Sequence, residues 1–288
     1  MALGRRGGAD RAMYTTQLLD VITTAGVLYI VAVGLLLVYG VLRIINLAHG
    51  AFLALGAYAA VVTTWWGWTP WAAPPLAFAV GAGLAALVEW RVLRALYSRP
   101  LDTILATWGL NIIVVQGITV YFGREIQFAT SPIERAVHVG GATYSEYRLV
   151  LLLLAALLSV LVWLVVQRTS IGVVARAVIM NEELAQALGI NTRLVRFFTF
   201  CFGAGLAALA GALLTPLVSV HPNLGVPWLI NAFMLVLVAG VSFGGLALVS
   251  VILGGAQVLV SSYGNPVLGS LTIVILAVII LRFRTITI

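Results

Sequence analysis

Apolar runs, most of them about twenty residues long, follow one another along this 288-residue chain, each enough to cross a hydrocarbon core of roughly 30 Å as a helix. They fall near residues 17–40, 44–64, 72–91, 103–122, 149–167, 197–218, 229–243, 245–262 and 267–283. Within them apolar residues are continuous and do not alternate one by one, which predicts helices and argues against a barrel of strands. With 62% of residues hydrophobic and 9% charged, a water-exposed globule would carry large apolar patches. The expected fold class is therefore all-α, a polytopic membrane protein with about eight or nine transmembrane helices, some of them broken or re-entrant. Residues 1–16 are expected as a disordered tail, 17–284 as the transmembrane domain and 285–288 as a C-terminal tail.

Charge then orients the spans. The sixteen basic residues are all arginine, against nine acids, and they cluster at span ends, so the net charge of +7 reads as topological and not as nucleic-acid binding. Positive-inside counting puts 91–102, 168–196 and the Arg282/Arg284 end in the cytoplasm, with the Trp65, Trp66, Trp68 and Trp71 group and 123–148 facing outward. One conflict remains. Nine full spans leave Arg5, Arg6 and Arg11 outside, so either that is tolerated or the segment around Arg43 to His49 is broken and the count is eight.

That segment sets Arg43, Asn46 and His49 among apolar residues, between Gly40 and Gly50, where unpaired polar groups are costly. A helix interruption lining a cavity accounts for it. An ordinary cytoplasmic turn, with Arg43 at the headgroups and Asn46 capping the next helix, accounts for it equally. In the fourth run Thr103, Thr107 and Asn111 recur every four residues and share one helical face, with Trp108 and Gln116 near it. Such a face suits either a pathway for a small neutral polar solute or hydrogen bonds that hold the bundle together. Asn46, His49, Thr107, Trp108 and Asn111 are the candidate substrate-pathway residues.

Several chemistries are disfavoured. No acid stands clearly at mid-membrane, against a carrier coupled to protons or sodium. No GxxxxGK[ST] loop is present, so the energy for active transport has to come from another subunit. Cys201 is a single cysteine in an apolar run, which leaves no internal disulfide and makes a metal site improbable. Gly240, Ser242 and Gly244 match G-x-S-x-G, but in helical membrane sequence, where glycines four apart suit helix packing better than a catalytic serine. The small residues Gly203, Gly205, Ala207, Ala208 and Gly211 invite the same packing reading. No cofactor is expected.

Between two long apolar runs lies the polar element Arg168 to Arg196. Asn181 is placed to cap a short helix with Glu182 and Glu183 in its first turn, Leu184, Ala187 and Leu188 as an apolar face, and Gly189 as its end. A cytoplasmic helix of this kind lies on lipid or fits a groove in a partner.

The tract Asn181, Glu182, Glu183, Leu184, Ala185, Gln186, Ala187, Leu188, Gly189, Ile190, Asn191 resembles the coupling loop of bacterial ABC importer permeases. Arg43 to Gly50 with Leu55 to Tyr58 resembles the N-terminal signature of the branched-chain amino acid permease superfamily. Within it, Leu96 to Leu110, with Pro222 to Gly225 and Asn231 to Met234, is most similar to the urea-type permease subunit. Asn111 stands where that family commonly has serine. The resemblance implies a multi-pass permease of the bacterial inner membrane, moving urea or short amides with energy from partner subunits, or branched-chain amino acids in the alternative. It implies as partners a paralogous permease forming a heterodimer, two ABC ATPases and an external substrate-binding protein. Residues 181–185 and 188–190 would couple to the ATPase. A passive amide channel and an intramembrane hydrolase using Ser242 are the readings from other classes.

Overall fold

A computed structural model describes residues 2–97 and 99–283. The helices are α1 (Ala2–Leu42), α2 (His49–Trp65), α3 (Ala73–Arg91), α4 (Pro100–Phe122), α5 (Glu146–Arg168), α6 (Ser170–Met180), α7 (Glu182–Ala187), α8 (Thr192–Leu214), α9 (Gly225–Ala239), α10 (Phe243–Tyr263) and α11 (Pro266–Phe283). A hairpin of β1 (Ala136–Val139) and β2 (Ala142–Ser145) interrupts the all-α pattern inside the outward segment, pairing Ala136 with Ser145 and Val139 with Ala142. Each expected span corresponds to a helix. Among the described residues seven helices are long and apolar enough to cross a membrane; α2, with 17 residues, and α9, with 15, are shorter. The segment 2–16, expected as a disordered tail, continues α1 as helix. The tail 285–288 lies outside the described residues.

Contacts sort the chain into two ends. At the tryptophan end, Arg148 pairs with Asp20 at 2.8 Å, Trp65 packs on Phe122, Thr64 meets Thr130, and Tyr263 donates to Gln17. At the arginine-rich end, Arg43 donates to the Ile179 carbonyl at 2.9 Å and its guanidinium thereby closes the end of α1 onto α6. Helix α1 thus enters from the tryptophan end. The start of α1 therefore shares an end of the bundle with the Trp65 to Trp71 group, the end that charge counting assigns to the outside.

The segment around Arg43 to His49 is broken as well, although the described residues give not eight full spans but seven long ones with the shorter α2 and α9. Arg43 adopts φ 51, which breaks the helix, and the chain turns back so that the His49 ring reaches the Val31 carbonyl at 2.9 Å. Val31 lies midway between Asp20 and Leu42, with about 16 Å of helix rise on either side. Helix α2 therefore starts near mid-membrane. Helix α9 does so from the other side: Val220 bridges Gln127 at the tryptophan end, yet Gly225 five residues on touches Gly50.

The core is built around α8, which packs on α1, α2 and α3 through small residues. A Cβ on Gly56 would overlap the Ala208 backbone, and one on Gly211 would overlap the Leu53 carbonyl, so the α2–α8 backbones approach as closely as glycine permits. The Gly240/Gly244 pair has another role than packing. Gly240 ends α9 at φ 67, and a Cβ on Gly244 would meet nothing within 4 Å.

Candidate functional site

At mid-membrane the N-termini of α2 and α9 meet head to head. A Cβ on Gly50 would stand 2.7 Å from the Gly225 carbonyl oxygen, so only glycine on both sides permits this junction. Each helix start carries a partial positive charge from its unpaired N–H groups, and two of them converge here.

The polar residues of the 43–50 tract surround the start of α2. Asn46 and His49 are buried, at 2% and 0% exposure. The Asn46 Oδ1 accepts from the Ala48 N–H at 3.1 Å, and the Leu47 N–H donates to Thr107 Oγ1 at 3.3 Å. His49 Nε2 faces a carbonyl, which can only accept, so in the neutral ring that nitrogen carries the proton and Nδ1 is an acceptor. Two polar atoms here have no hydrogen-bond partner: the donor Asn46 Nδ2 and the acceptor His49 Nδ1.

Helix α4 supplies one flank. Thr103, Thr107 and Asn111 are all buried on one face, as their spacing predicts. Thr103 and Thr107 nevertheless spend their hydroxyl protons on the Leu96 and Ile104 carbonyls, at 2.7 and 2.8 Å. Trp108 is 49% exposed and Gln116 is exposed, so the fold does not bring them to the junction. Gly225 is the residue that sequence reasoning missed as part of this site. Its signal was the Pro222-Asn223 turn ahead of an unusually short apolar run.

The second element is the cytoplasmic loop. Thr169 caps α6 by accepting from the Gly172 N–H at 3.3 Å, Asn181 caps α7 through Leu184 N–H at 2.9 Å, and Asn191 caps α8 through Leu194 N–H at 3.2 Å. Gly189, at φ +86, ends α7, because a side chain there would be strained. Ala185 is buried at 2%, whereas Leu184 and Leu188 are 57% and 71% exposed. The helix thus turns a small residue inward and two leucines out. Ser242, the candidate nucleophile, caps α10 by accepting from the Gly245 N–H at 3.1 Å.

A family model described as branched-chain amino acid transport system / permease component matches residues 17–282. The chain belongs to this permease family. It is similar, at 26% identity over 267 residues covering 87% of each chain, to the high-affinity branched-chain amino acid transport system permease protein LivH of Escherichia coli K12. It is likewise 26% identical over 288 residues to BraD of Pseudomonas aeruginosa, covering 91% of this chain and 93% of that one. In fold it resembles a solved chain from PsaBC of Streptococcus pneumoniae in complex with Fab, with TM-score 0.53 at 17% identity over 96% of this chain and 94% of that chain. As an ABC-type permease component, this family member is not an enzyme; ATP hydrolysis lies in separate subunits. It is a multi-pass protein of the inner membrane. Urea specificity, expected from Leu96 to Leu110, finds no support in these relatives, whose names carry branched-chain amino acids.

Proposed function

We propose that the chain carries branched-chain amino acids across the inner membrane, powered by ATPases that grip α7. The observation that carries this reading is the head-to-head junction at Gly50 and Gly225, with Asn46 Nδ2 and His49 Nδ1 unpartnered beside it. A zwitterionic amino acid offers a carboxylate, favoured by converging helix starts and the Asn46 amide, and an ammonium, favoured by the His49 acceptor. Urea would use the same donor and acceptor but, carrying no net negative charge, gains less from the helix ends. His49 is fully enclosed, so transport requires the α2 and α9 ends to part in turn toward each side. Thr107 and Asn111 border this route from α4.

On the cytoplasmic side, Asn181, Glu182, Glu183, Leu184, Ala185, Leu188, Gly189 and Ile190 form the ATPase-docking element. The exposed Leu184 and Leu188 on a capped, stably ended helix support this, since the bundle leaves them without a protein partner. The partners are two ABC ATPases, an external substrate-binding protein and a paralogous permease that completes a heterodimer.

The test is uptake by the whole complex in proteoliposomes. ATP-dependent leucine uptake supports the assignment; urea uptake without leucine uptake moves the chain to the urea-type branch, and conduction by this chain without ATPases makes it a channel. A Gly/Ser linker in place of 182–188 should abolish copurification of the ATPases. Undiminished copurification would remove α7 from the docking role.

A further inference from the structure

On the outer surface of the bundle a crevice of about 210 Å³ lies between α3 and α5. Two tight seams leave it open. Helix α5 closes onto α1 at Gly26, where an added Cβ would stand 3.3 Å from the Ala155 Cβ. Helix α3 closes onto α8 at Gly81, where one would stand 2.6 Å from the Ala208 Cβ. Between these seams α3 and α5 have no packed interface of their own. Ile30 of α1 and Leu209 of α8 therefore form the floor of the gap, with Pro74 on one wall and the exposed Trp71, Leu157 and Leu161 at its rim.

The depth, lining and size of the crevice together define what fills it. Trp71 marks the tryptophan end, Leu161 lies about 22 Å along α5 from its start at Glu146, and Ile30 adjoins Val31 at mid-membrane. The crevice thus runs through one leaflet of a hydrocarbon core about 30 Å thick. Its lining side chains are apolar apart from the Trp71 indole N–H. Water is not held there, because a buried water needs two to four polar partners. A partner's helix does not enter either, since one turn, about 10 Å across and 5.4 Å tall, sweeps roughly 400 Å³. A single hydrocarbon chain has the shape, polarity and depth that remain.

We propose that this crevice binds one acyl chain of an outer-leaflet phospholipid, which fills the space that α3 and α5 leave and holds the α1–α5 seam against the α3–α8 seam. The gain is dispersion and not hydrophobicity. Lipid tails are as apolar as leucine, but an unfilled crevice leaves its walls without partner atoms. The site depends neither on which solute is carried nor on the docking of α7.

The test places the complete complex in phosphatidylethanolamine vesicles that contain a phospholipid with a diazirine on one acyl chain, and maps the photolabel by mass spectrometry. Label is expected at Ile30 and Leu209 on the floor as well as at Leu153, which faces lipid outside the crevice. Leu158→Trp, a lining residue enlarged to fill the gap, should abolish the floor label and leave that of Leu153 unchanged. If Leu158→Trp fails to fold, Leu161→Trp at the rim makes the same comparison. Label confined to Leu153, or floor label that survives the filling variant, overturns the site. So does floor label present in the isolated chain and lost in the complex, which assigns the crevice to a partner subunit's side chain. Adding phospholipid back to delipidated protein in detergent should raise the unfolding temperature of the parent more than that of the filled variant. An equal rise overturns the stabilising role.

Discussion

Helices α5 and α8 each have 23 residues, and α5 is the more apolar, yet 17% of its apolar stretch is buried against 72% for α8. In a water-soluble protein the order would be the reverse. Lipid tails are as apolar as leucine, so hydrophobicity gives no reason for a leucine-rich helix to move inward. Helix α8 is central because Gly203, Ala204, Gly205, Ala207, Ala208, Ala210, Gly211 and Ala212 let neighbouring backbones touch it. Helix α5 presents Leu153 and Leu157 outward, 69% and 55% exposed.

The contrast is open to direct attack, and the largest effect is expected where backbones meet. Gly56→Leu should cost at least about 3 kcal/mol or prevent folding, because its side chain overlaps the Ala208 backbone. Thermal unfolding in detergent measures this, and a variant as stable as the parent would break the account of α8. Next comes Asn46→Leu at the junction, which should lower leucine uptake about tenfold while the protein still folds, since on the proposed reading it removes a hydrogen bond to the substrate carboxylate. Equal losses of uptake and of folded protein would make Asn46 structural. Ser242→Ala removes the cap of α10 and should cost about 1 kcal/mol in the same unfolding assay. A loss of some hydrolytic activity in place of stability would revive the catalytic reading. The smallest effect belongs to α5: Leu153→Ala should change stability of the isolated chain by less than about 0.5 kcal/mol. A larger loss confined to the assembled complex would show that a partner, and not lipid, covers this face.

Much of the fold was legible because the signals are local. Run lengths located every span, the spacing of Thr103, Thr107 and Asn111 found the buried face of α4, and Asn181 and Gly189 marked both ends of α7. The four-residue pattern could not say which neighbours that face meets, so Trp108 and Gln116 were grouped with it although both are exposed. The 43–50 tract showed that something unusual happens there. Whether it was a turn or a break depended on Val31, a carbonyl whose availability no residue type announces. Glu89 looked like an ordinary span-end acid, yet it is 2% exposed, because burial is set by neighbours that its position in the run does not announce.

By itself the sequence determined that this is a helical membrane protein, where each span lies, which loop is polar enough to meet a partner and how its short helices are capped. Those properties follow from apolar length, charge and side chains that bond within three or four positions of themselves. Only the tertiary structure decided that α2 and α9 begin at mid-membrane and meet at Gly50 and Gly225, and that small-residue α8 lies inside while leucine-rich α5 lies outside. Such outcomes depend on close approach between residues far apart in the chain, where the deciding quantity is the absence of a side chain and not its hydrophobicity.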